Sequence, residues 1–136
     1  MDFYADATTD APYVEVRTST ASAPRAIVHA LPVAASPQSK VLILAQFEVT
    51  NALGYNVGLG RYIARSDGKI ISRATMDNVT PDMHHRVVNI GVWDDSPLES
   101  AVYYLVCYAA STAAKPGAKI VIEQGYGFLQ AMRFDE

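Results

Sequence analysis

The chain has 136 residues, half of them apolar, with 11 Lys and Arg against 14 Asp and Glu, a net charge of −3 and a single cysteine. A domain of this length buries roughly two thirds of its extended surface and needs neither disulfide nor metal to fold, and one cysteine excludes an intrachain disulfide. The basic residues form no stripe, which argues against nucleic acid, no run approaches the roughly 20 apolar residues of a membrane span, and the first ten residues are acidic and polar where a signal peptide is basic and then apolar.

Residues 1–12 read as an extended N-terminal arm, polar and closed by Pro12, with Phe3, Tyr4 and the adjoining Tyr13 as its contacts to a partner. Residues 13–136 read as one β domain. Val14 and Val16 alternate against Tyr13, Glu15 and Arg17 in a short strand over 13–18, and a second strand is predicted over 25–31, with Ser/Ala/Pro-rich loops at 19–24 and 32–40. Over 40–50 one face is apolar throughout, from Val41 to Val49, while the other passes from Leu42 and Leu44 to Gln46 and Glu48. A strand over 55–65 carries Gly58 and Gly60, which mark a bulge or a close approach by another backbone. Asp67-Gly68 predicts a hairpin turn into a strand over 69–76.

A loop over 77–82, a strand over 84–93 and a loop around Pro97 lead to 101–111, Ala-Val-Tyr-Tyr-Leu-Val-Cys-Tyr-Ala-Ala-Ser, around which the chain is organised. On a period of two, Val102, Tyr104, Val106 and Tyr108 point one way and Tyr103, Leu105, Cys107 and Ala109 the other, so both faces need cover. Strands over 118–123 and 128–134 follow, separated by Gly-containing turns. No amphipathic helix of about ten residues or more is present to supply that cover, so it comes from another sheet or another subunit. The fold class is therefore all-β: an antiparallel β-sandwich or jelly roll of about eight strands with an extended N-terminal arm.

No catalytic, metal or cofactor signature stands out. His84 and His85 are adjacent and so point to opposite faces of a strand, His29 has no His or Cys neighbour, and Cys107 reads as a buried small hydrophobe. The serines lack a Gly-x-Ser-x-Gly context, and the cupin type of metal enzyme, with its His-x-His pair, is not matched. Trp93 reads as the core anchor of an acidic loop with Asp94, Asp95 and Glu99; if the protein takes a glycan, Tyr55, Trp93 and Tyr126 are the loop aromatics to stack on it.

The run from Val102 to Tyr108, followed by Ile120-Val-Ile-Glu-Gln-Gly-Tyr-Gly-Phe-Leu129, resembles the small trimeric jelly rolls of the C1q and tumour-necrosis-factor type, and is also similar to jelly-roll virion proteins of tailed bacteriophages. With no collagen stem and no secretion signal in the sequence, the phage resemblance leads. It implies a homotrimer packed by aromatic sheet faces around a threefold axis, with Tyr103, Leu105, Val106 and Tyr108 at the trimer interface. The function expected from it is that of a non-enzymatic virion structural protein. It would be a capsid decoration (cement) protein that binds the major capsid protein or other virion proteins and is assembled in the host cytoplasm. The alternative is a trimeric receptor-binding or carbohydrate-binding module of a phage tail or fibre.

Overall fold

The computed structural model describes residues 2–6, 12–18, 24–81, 86–123 and 127–135. They form ten strands: β1 (Asp2–Asp6), β2 (Tyr13–Arg17), β3 (Ala26–Ala34), β4 (Lys40–Thr50), β5 (Val57–Arg65), β6 (Thr75–Val79), β7 (Arg86–Asp94), β8 (Ser100–Ala110), β9 (Lys119–Ile122) and β10 (Phe128–Phe134). In the first sheet β4 is flanked by β7 on one side and by β10, then β9, on the other. The layer ends in β1, paired to β10, and β2, paired to β9. The second sheet runs β3-β8-β5-β6, antiparallel throughout. Successive strands thus pass back and forth between two layers, and this wrapping is a jelly roll.

The alternation written into β4 and β8 sets the layers face to face. Val41, Ile43, Ala45, Phe47 and Val49 of β4 meet Tyr103, Leu105, Cys107 and Ala109 of β8, with Ile120, Ile122, Leu129, Leu59 and Ile63 filling the space between. Full burial of each large side chain contributes about 1.5–3 kcal/mol. β2 turns the corner between the sheets. Its first half pairs with β9, whereas Val16 and Arg17 run parallel to Ala109 and Ala110 of β8.

Three expectations change. The described part of the arm lies against its own chain, where residues 2–6 add to β10 as a five-residue edge strand from Asp2 opposite Arg133 to Asp6 opposite Leu129. β3 continues through Pro32, placed in a loop by the sequence reading. It pairs with β8 alone, so the missing proline N–H costs no ladder bond. The Asp67-Gly68 turn forms, with Gly68 at φ +93°, but its returning arm holds only a bridge between Ala64 and Ile70. There the Ser72 hydroxyl accepts the Ile63 N–H (2.7 Å) and ends the ladder, so the strand resumes later, as β6 opposite Val57 to Arg61.

Candidate functional site

β8 separates two chemically different surfaces. Tyr103 and Leu105, expected at a threefold contact, point between the sheets and are 1% and 0% exposed within the single chain. Side chains sealed by their own fold cannot reach a second copy, so these two leave the expected interface set. Val106 and Tyr108 have the opposite parity and lie on the outer face of the second sheet, where Val106 is itself only 6% exposed and Tyr108 is half-buried.

That outer face is built in rows by the cross-strand register: Ile27, Val106 and Tyr62; Ala30, Tyr104 and Ala64; and Tyr108, Gly60 and Met76. None of these residues is charged. An added Cβ at Gly60 would fall 2.2–2.6 Å from the Tyr108 ring, so the ring rests on bare backbone and only glycine permits it there. The Tyr62 and Tyr108 rings lie 6.4 Å apart, and the Arg25 guanidinium sits 3.7 Å over Tyr108 at the rim. Ile27 and Met76 are 42% and 53% exposed. The glycines read as close-approach positions thus receive a side chain rather than a backbone.

At one end of the core lies a buried polar cluster that the sequence reading missed. Arg65 projects from β5 into the sandwich, where its guanidinium donates to Asp94 Oδ2 (3.0 Å) and to the Ser96 carbonyl (2.9 Å) and holds both Asp67 carboxylate oxygens (2.7 Å each). The Tyr103 hydroxyl donates to Asp94 Oδ2 (2.6 Å), and the Ser96 N–H donates to Asp94 Oδ1 (3.2 Å). The hydrogen bond from Arg65 lowers the Asp67 carboxyl to about 2. Burial, then the bond to Asp94, pushes the Tyr103 hydroxyl above its ordinary range. Asp94 comes from the first sheet and Arg65 and Tyr103 from the second, so the cluster clamps the layers together. Extending the period of two from Val88 through Ile90 and Val92 reaches Asp94, and that signal in the sequence points it inward.

The same parity turns Trp93 outward. It lies in β7, within the strand predicted over 84–93, but it is 47% exposed instead of anchoring the core, with its ring 5.4 Å from Phe134. Phe3, Met132, Leu42 and Trp93 follow one another across the outer face of the first sheet. Tyr55 lies beyond the opposite end of β4, in a turn organised by Asn51, whose side-chain amide donates to the Tyr55 and Val79 carbonyls (3.0 Å each). Tyr55 and Trp93 therefore do not converge on one ligand, and Tyr126, His84 and His85 lie outside the described residues.

The arm residues also diverge. Phe3 faces outward, the Tyr4 hydroxyl donates to the Ala34 carbonyl at the edge of β3 (3.3 Å), and Tyr13 is exposed beneath the Lys119 ammonium (4.0 Å). Cys107 is fully buried, and burial pushes its thiol up to about 12. Among the described residues no three His, Cys, Asp or Glu side chains come together in a way that would hold a metal.

No family model and no curated protein matches the sequence. Solved structures match its fold. The crystal structure of the infectious bursal disease virus VP2 subviral particle aligns with a TM-score of 0.67 at 10% identity, covering 98% of this chain and 32% of that one. The structure of infectious bursal disease virus strain Gx aligns at 0.66 and 12% identity, over 96% and 32%. Strain Gt gives 0.61 and 8%, over 96% and 31%. This chain has their jelly-roll fold. It spans about a third of the length of those viral chains.

Proposed function

We propose that this chain is a non-enzymatic structural protein of a virion, assembled as a homotrimer through the outer face of its second sheet and acting as a cement that decorates a phage head. The observation that carries the reading is that face. Ile27, Tyr62, Met76, Tyr104 and Tyr108 present an apolar, aromatic surface with no charge at its centre, the composition of an interface core. Tyrosine suits such a contact, because the ring is buried while the hydroxyl finds a partner or water. The fold shared with chains of a virus and of a subviral particle supports a place in a particle. Cementing would then raise particle stability by mass action and avidity, each copy adding a modest contact.

Light scattering of the purified chain tests the trimer. The expected mass is three times the 14.7 kDa of one chain, reduced to one chain by Tyr104→Glu or Ile27→Glu. A monomer at tens of micromolar, or a trimer indifferent to both substitutions, would overturn the reading. Decoration is tested by adding the chain to particles of its source that lack it: the chain is expected on the head surface, and binding confined to the tail would favour a receptor-binding role instead. Removing residues 2–6 strips β1 from β10, and is expected to weaken particle binding while leaving the trimer intact.

A further inference from the structure

The two open sides of the sandwich are finished differently. On one, the layers are stitched, since the Tyr4 hydroxyl and the Arg133 guanidinium both donate to the Ala34 carbonyl (3.3 and 3.0 Å). On the other, β6 and β7 have no further strand beside them among the described residues, and a cleft of about 340 Å³ opens between β7 and the segment 71–75. Arg61 reaches into it from β5. Its guanidinium is paired with Asp77 and lies 3.5 Å from the Asn89 carbonyl, and its Nε is buried without a hydrogen-bond partner. Arg73, on the rim, is exposed and makes no side-chain hydrogen bond or ion pair with a described residue. Ile90 and Val92 form the apolar part of the lining.

β7 also offers main-chain groups. In an antiparallel strand the N–H and C=O of one residue leave on the same side, and that side alternates along the chain. The Asn89 carbonyl turns toward Arg61, so the N–H and C=O groups of Val87, Asn89, Gly91 and Trp93 face away from β4. The edge is nine residues long and contains neither Pro nor Lys, the usual devices that keep another strand off.

We infer that this cleft binds the acidic N-terminal segment of a second copy, added to β7 as an extra strand. Charge complementarity selects the occupant: the first twelve residues contain Asp2, Asp6 and Asp10 and no Lys or Arg. On a period of two, Asp2, Tyr4 and Asp6 share one side of the segment, the side that would face Arg61 and Arg73, while Phe3 and Ala5 take the side of Trp93. Main-chain bonds supply affinity and Arg73, the cation at the rim not already paired with a described residue, supplies selectivity, as in other strand additions. Within its own chain the segment holds β10 through five residue pairs, so its transfer to a neighbour exchanges one edge ladder for another. The inference uses the β7 side and not the outer face of the second sheet, so this reading and the trimer contact fail separately.

The probe is a fluorescein-labelled peptide with the sequence of residues 1–12, titrated with the full chain and followed by polarisation. Saturable binding is expected, lost when the peptide's three Asp are replaced by Asn. Arg73→Glu should weaken it by about two- to fivefold, the scale of one exposed ion pair. Asn89→Pro, which keeps the carbonyl facing Arg61 and removes an edge N–H, should abolish it. Arg73 is a surface residue, so its variant remains decisive if the proline variant melts. No saturation by ~1 mM peptide, equal binding of the Asn peptide, or full binding to Arg73→Glu would each overturn the inference.

Discussion

The two faces of β8 carry similar side chains and meet different fates. Tyr103 and Tyr104 are neighbours in sequence, yet one is sealed in the core with its hydroxyl on Asp94, and the other stands on an uncharged sheet surface. The inner face is completed by partners from the same chain, the apolar stripe of β4 and the Arg65–Asp94 clamp. The outer face carries Arg25 over Tyr108 at its rim and leaves Ile27 and Met76 exposed. A strand that is apolar on both sides announces that both need cover, and the neighbouring strands decide which side is already covered.

The largest effect is expected on the inner face. Arg65→Met leaves the Asp94 carboxylate buried without its cation, and denaturant unfolding should register a loss of about 3–5 kcal/mol, as for other broken buried pairs. Leu105→Ala opens a cavity in the middle of the sandwich, with an expected loss of about 2–5 kcal/mol in the same experiment. A loss below 1 kcal/mol for both would mean that the inner face is not the core described above.

Tyr103→Phe keeps the ring and removes one hydrogen bond to a charged acceptor, so about 1.5–3 kcal/mol is expected. Its neighbour makes the sharper contrast. Tyr104→Ala should leave monomer stability within about 0.5 kcal/mol, the usual range for a surface position, while lowering the light-scattering mass. If Tyr104→Ala destabilised the chain as much as Leu105→Ala, the distinction between the faces would collapse.

The smallest effect concerns acid. The Asp67 carboxyl is held at about 2 in the folded protein, below the ordinary value near 3.9. Its contribution is therefore complete above about pH 4 and disappears as the pH falls through 2, because the unfolded chain takes up the proton first. Melting temperatures between pH 5 and 2 should fall less steeply for Asp67→Asn than for the parent chain, and parallel curves would remove the effect.

Much of the architecture was legible in the residues. The alternation of 40–50 and of 101–111 located the two central strands, and the drift from Leu42 and Leu44 to Gln46 and Glu48 described the outer surface of β4 before its neighbours were known. Sequence reading failed where a distant partner overrode a local signal. Pro32 stays in a strand because β3 is an edge, and the arm of the Asp-Gly turn breaks off because Ser72 takes the Ile63 N–H. Both faces of 101–111 could be listed from the sequence, but telling which of them the fold seals required knowing where β4 lies. Asp94 was hidden by the habit of reading acidic residues as solvated, although its spacing from Val88 already placed it inside.

Cys107 gives the molecule a clock. Its sulfur lies at the centre of the second sheet's inner face, with burial holding the thiol near 12, so a maleimide or disulfide reagent at neutral pH meets almost no thiolate while the layers are closed. Labelling must wait for the sheets to part. Reagent uptake at this single thiol therefore times the opening of the sandwich, one molecule at a time.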